Sequence, residues 1–78
     1  MIETLRGKLA AKFPHKVVVD WNGLAFEVLV PFTTSKALAE PGETVTLQCH
    51  LHWREEGPQL FGFASEDERA FFRLLTRV

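Results

Sequence analysis

Alternation of apolar and polar positions runs through most of this chain and is clearest in its second half. Val45, Leu47, Cys49, Leu51 and Trp53 alternate with Thr46, Gln48, His50, His52 and Arg54, the period-two pattern of a strand with one buried and one wet face. Glu55-Glu56 follow at a turn. Gly57 permits positive φ, and Pro58, lacking an N–H, is predicted to interrupt the ladder before Leu60, Phe61 and Phe63 resume it as a shorter return strand. Upstream, Ile2, Leu5, Gly7, Leu9, Ala11 and Phe13 read as a first strand with an irregularity at Gly7, where a glycine marks a bulge, a bend or close backbone approach. Lys16–Trp21 has a second strand's β-branched composition. Asn22-Gly23 is a strong type I′ hairpin signal leading into a third strand on Leu24, Phe26, Val28 and Val30, ended by Pro31.

Two stretches switch to helical period. Phe32–Glu40, with its Thr/Ser start, predicts one or two helical turns stopped by Pro41-Gly42. Ser65-Glu66-Asp67-Glu68 forms a capping box with acids at the positive end of the helix dipole. Ala70, Phe71, Leu74, Leu75 and Val78 continue it as an amphipathic helix, with Arg69, Arg73 and Arg77 on the outside. That apolar face either packs on the chain's own strands or awaits another domain. Three strands, a short helix and two strands in about 60 residues predict a mainly β, five-stranded Greek-key barrel of OB type over residues 1–63. Residues 64–78 then form the C-terminal helix. The chain ends at Val78 without a glycine stop and reads as cut rather than finished.

Composition narrows the function. At 78 residues the core gives marginal stability, and a partner or neighbouring domain would add to it. The apolar runs are far too short to span a bilayer, and no secretory leader is visible. A single cysteine, Cys49, excludes an internal disulfide and suits a reducing cytoplasm. Nine basic and ten acidic residues give a net charge of −1, whereas a free-standing nucleic-acid binder usually shows a basic excess, because phosphate neutralisation supplies most of its affinity. Cys49 faces opposite to His50 and His52 on one strand, so the three do not converge on a metal. No glycine-rich phosphate loop is present, and no catalytic residue or cofactor is assigned. Trp21 and Trp53 sit within apolar alternation and are expected in the core.

The ordered set Met1-Ile2, Leu5-Arg6-Gly7, Asn22 through Val28, Pro31-Phe32-Thr33-Thr34, Arg54-Glu55-Glu56, Leu60-Phe61-Gly62-Phe63 and Glu68-Arg69 resembles the N-terminal domain of the RuvA family over essentially the whole chain. Two departures are mild: Gly23-Leu24-Ala25-Phe26 stands where the family often has Gly-Val-Gly-Tyr, and Glu55-Glu56 where it often has Glu-Asp. The resemblance implies an OB-type first domain of a Holliday junction-binding subunit in recombination and repair. It implies a homotetramer in the full-length protein, DNA held mainly by a helix-hairpin-helix domain absent here, and the RuvB ATPase as the branch-migration motor, reached through a third domain. Read locally, Glu55 and Glu56 are a solubilising turn; by resemblance they are the acids of an acidic pin. Arg54, Lys8 and Lys12 are possible DNA contacts. The alternative is a stand-alone OB module that binds single-stranded nucleic acid through aromatics and lysines.

Overall fold

The computed structural model describes residues 2–76 as β1 (Thr4–Phe13), β2 (Lys16–Trp21), β3 (Leu24–Leu29), α1 (Phe32–Ala37), β4 (Thr44–Arg54), β5 (Gly57–Phe63) and α2 (Glu66–Thr76). Arg77 and Val78, assigned above to the last helix, lie outside the described residues, as does Met1. The strands close in the order β1-β2-β3-β5-β4, with β4 returning to β1. All neighbours are antiparallel except β3 and β5, which meet in parallel through Leu29 and Phe61. Crossing from β3 by way of α1 to β4 produces this Greek-key order, and the result is the mainly β barrel of OB type that the alternation predicts.

Inward positions fill the barrel as a period of two requires. Leu5 and Leu9 from β1, Val17 and Val19 from β2, Val28 from β3, Val45, Leu47 and Cys49 from β4 and Leu60 from β5 form one buried cluster. The Asn22-Gly23 turn has positive φ at both residues, 53° and 89°, and the Asp20 carboxylate accepts a hydrogen bond from the Gly23 N–H at 2.8 Å.

The irregularity in β1 has two parts. Its register slips between Leu9 and Ala11, not at Gly7. Gly7 serves close approach instead, since a Cβ there would stand 2.6 Å from the Asp20 carbonyl oxygen. A side chain at Gly62 would likewise meet Val28 Cγ1 at 2.7 Å, so small size at β5 lets the barrel close onto β3.

Three local expectations are corrected. Pro58 does not interrupt the ladder: it lies opposite Trp53, and pairing continues to Arg54 and Gly57. At this position the strand edge does not need the missing N–H. Helix α1 begins at Phe32 with Pro31 as its N-cap residue and no side-chain cap, and it ends at Ala37, ahead of Pro41-Gly42. The fixed φ of proline, −62° here, prepares that start. The Lys12 ammonium then donates to the Leu38 carbonyl at 3.1 Å, which satisfies one of the orphan groups at the helix end.

The third correction concerns α2. Its N-cap forms as predicted, with the Ser65 hydroxyl accepting from the Glu68 N–H at 3.2 Å. The helix is rolled the other way, however. Arg69 is buried at 2% exposure, whereas Phe71, Leu74 and Leu75 are 62, 63 and 68% exposed. The barrel wall beneath α2 offers carbonyls and a histidine beside a narrow aromatic strip of Phe61 and Phe63, room for one ring rather than for the whole apolar face. The Arg69 guanidinium donates to the Glu3 carbonyl at 2.7 Å and the Cys49 carbonyl at 3.1 Å, and pairs with the carboxylates of Glu3 and Glu66. Five donors in a fixed fork suit such a wall better than leucine does. Beside it Phe72 packs on Phe61 and Phe63, ring centroids 5.0 Å apart in both pairs. Arg73 donates to His50 Nδ1 at 3.2 Å.

Candidate functional site

The hairpin of β4 and β5 outruns the barrel. Down β4, Val45, Leu47 and Cys49 are buried, Leu51 is half-buried, and Trp53, in the same register, is 65% exposed. The last pairs, His52 with Gln59, Trp53 with Pro58 and Arg54 with Gly57, therefore form a two-stranded ribbon. Glu55 and Glu56 make its two-residue tip, and Gly57 follows at φ 126°. The turn leaves both carboxylates exposed, with the Glu56 side chain 80% exposed.

Arg54 is the nearest cation. It lies 3.8 Å from Glu56 and donates to the Gln59 side-chain carbonyl at 3.1 Å. The exposed ion pair carries little energy, but the contacts turn the guanidinium along the ribbon rather than outward. Glu55 has no ion-pair partner among the described residues.

Lys8 and Lys12, grouped with Arg54 in the sequence reading, sit elsewhere. Lys8 pairs with Thr44 at the start of β4, ten residues before Arg54, so at roughly 3.3 Å per residue it lies about 30 Å from the tip. There it borders an open groove with Arg6, Trp21 and Asn22 and makes no ion pair among the described residues. Lys12 is engaged at the end of α1, 3.1 Å from the Leu38 carbonyl and 3.8 Å from Glu40. The expected burial of the tryptophans is also overturned: Trp21 is 51% exposed and Trp53 65%. Alternation identifies which face a residue occupies, and both residues occupy the inward face where no barrel remains to cover it.

Cys49 is buried, and burial pushes its thiol pKa up, which leaves it an inert core group. His50 and His52 share the opposite face, their rings 6.2 Å apart. No three metal-ligating side chains converge among the described residues. Arg69 is the main element missed by the sequence reading. Its signal is the Glu66-x-x-Arg69 spacing beside the capping box, which marks an ion pair on one helical face.

A closed OB-type barrel with an acidic two-residue hairpin standing clear of it defines the class of domain. The RuvA N terminal domain family matches residues 1–62, and the chain belongs to that family. It is 49% identical over all 78 residues to the Holliday junction branch migration complex subunit RuvA of Thioalkalivibrio sulfidiphilus, and 51% and 44% identical to the proteins of the same name from Pseudomonas fluorescens and Geobacter sulfurreducens. Each match spans 100% of this chain and 39% of the relative, so the chain corresponds to about two fifths of those proteins. No helix among the described residues is long and apolar enough to cross a membrane.

Proposed function

We propose that this chain is the non-catalytic first domain of a cytoplasmic Holliday junction-binding subunit, which tetramerises and shapes crossover DNA for a RuvB motor. The observation that carries this reading is the Glu55-Glu56 tip on a ribbon clear of the barrel. Four such tips around an axis would sit where the arms of a junction exchange strands. A carboxylate within about 4 Å of a phosphate is unfavourable by about 1 kcal/mol at a well-solvated surface. Uninterrupted duplex laid across the centre meets that repulsion several times, whereas strands that part into separate arms avoid it. The hairpin thus selects a DNA shape by penalising the wrong one. Backbone attraction comes from cations away from the tip: Lys8, which makes no ion pair among the described residues, is the first candidate, and Lys12 and Arg54 contribute where their present contacts yield. ATP hydrolysis and most of the DNA affinity belong to parts of the assembly outside these residues.

The exposed tryptophans favour one other reading, an OB module that binds single strands by stacking. Fluorescence anisotropy of this chain at low salt, against a four-way junction, a duplex and a single strand, separates the two. Weak binding with the junction preferred over duplex fits the shaping role. Tight single-strand binding that falls steeply with salt identifies the stacking module and removes the shaping role.

A further inference from the structure

Beyond the barrel the β4–β5 ribbon has two unlike faces. On one, Arg54 is held by Glu56 and Gln59, and His52 meets Phe61 edge-on at 6.3 Å between ring centroids. On the other, Trp53 lies directly opposite Pro58, and the next inward pair is Leu51 with Leu60. Directly opposed residues of an antiparallel pair bring their Cβ atoms to about 5 Å, so the indole and the pyrrolidine ring form one apolar shelf. Leu60 is buried beneath it, whereas the indole stays 65% exposed.

The charges around this shelf decide what it can bind. Its neighbours at the tip are Glu55 and Glu56, and the adjacent cation of the ribbon, Arg54, is on the opposite face and already paired. A phosphate brought here meets two carboxylates, and the ribbon itself offers it no free cation among the described residues. A nucleobase is uncharged and offers a π-face to the indole, an interaction that tolerates any base identity.

We infer that Trp53, backed by Pro58, stacks against a nucleobase left unpaired at the strand-exchange point of branched DNA. This rests on the shaping role proposed for the hairpin and adds a second half to it. The carboxylates repel the backbones, and the indole receives the base that loses its stacking neighbour as the strands part. Repulsion alone would leave the crossover free to re-pair across the tip; the stacked base holds it open.

The test uses this chain at up to millimolar concentration and low salt, with Trp21→Phe so that Trp53 is the only indole. A photoreactive 5-iodouracil is placed at the crossover of a four-way junction, or midway along one arm, or in linear duplex. After irradiation, peptide mapping should find the adduct on Trp53 from the crossover position alone, with matching quenching of indole fluorescence. Trp53→Leu, an exposed change that leaves the fold intact by circular dichroism, should abolish the adduct and weaken binding to a junction with unpaired crossover bases roughly ten-fold. Trp53→Phe should restore most of that loss. An absent adduct, equal adducts from crossover and arm, or unchanged affinity in Trp53→Leu each overturns the inference. Failure of the underlying role looks different: the unaltered chain then binds duplex as well as junction, and Glu55→Gln with Glu56→Gln changes neither.

Discussion

The two halves of β4 carry the same pattern and do opposite things. From Val45 to Cys49 the inward residues are at most 6% exposed, and four residues further, in unbroken register, Trp53 is 65% exposed. The first half is paired with β1 as far as Gln48 and roofed by the rest of the barrel, whereas beyond Cys49 only β5 pairs with it among the described residues. Alternation therefore reports a face, and burial follows only where other strands cover that face. The change along one strand marks the passage from scaffold to working surface.

Substitutions on either side of that boundary should separate sharply. Leu47→Ala, fully buried, is expected to cost about 3 kcal/mol in urea unfolding. Trp53→Leu should stay within about 0.5 kcal/mol of the parent. Similar losses at the two positions would mean that the ribbon is covered in solution and that the boundary lies elsewhere.

A second contrast, between the two faces of α2, should give the next largest effect. Arg69→Met removes the donors that satisfy the Glu3 and Cys49 carbonyls and is expected to cost about 2 kcal/mol. Leu74→Gln, on the exposed face, should cost almost nothing in this chain. A reversed order would show that the helix rolls its apolar face inward, as its composition alone implies.

Acidification should loosen the seat of α2 more gently and in two stages, first at the Arg73–His50 contact and then at the Arg69–Glu66 pair. Burial first, then the charges of Arg73, His52 and Arg69, hold His50 below its ordinary pKa of 6.5. The neutral ring accepts the Arg73 hydrogen bond, and protonation removes that acceptor and adds a cation beside Arg73. The unfolded chain takes up this proton first, so the contribution is complete above about pH 6.5 and is lost as pH falls through the lower folded value. Hydrogen bonding to Arg69 holds Glu66 below its ordinary 4.5 in the same sense, so its share persists further and goes only as pH falls through the carboxylate range. Urea midpoints across this range should decline in those two stages, and Arg69→Met should flatten the second. A rise in stability below the histidine range would contradict the arrangement.

Much of the fold is legible in the residues. Lys16–Trp21 is a strand to the residue, Asn22-Gly23 turns as its composition requires, and Ser65 caps α2. The acidic tip follows equally from two alternating runs around Glu55-Glu56. The orientation of α2 does not follow from its own amphipathicity, because the surface it lies on joins the carbonyls of Glu3 and Cys49 to the rings of Phe61 and Phe63, and the carbonyls that seat Arg69 come from residues distant in the chain. Trp21 and Trp53 are misplaced for a related reason: strand periodicity contains no statement of where a barrel ends. The continued pairing at Pro58 depends on whether a backbone N–H is needed at that point, which only the partner strand decides.

The central claim is that the Glu55-Glu56 tip selects DNA by repulsion. Its most direct test is a chimera carrying this chain in place of the matched 78 residues of the Pseudomonas fluorescens relative, with and without Glu55→Gln and Glu56→Gln. Junction and duplex affinities are measured side by side at rising salt. Neutralising the tip should tighten duplex binding roughly ten-fold and leave junction binding nearly unchanged, with the difference shrinking as salt screens it over about 10 Å at 0.1 M. An unchanged ratio of junction to duplex affinity at low salt would contradict the account.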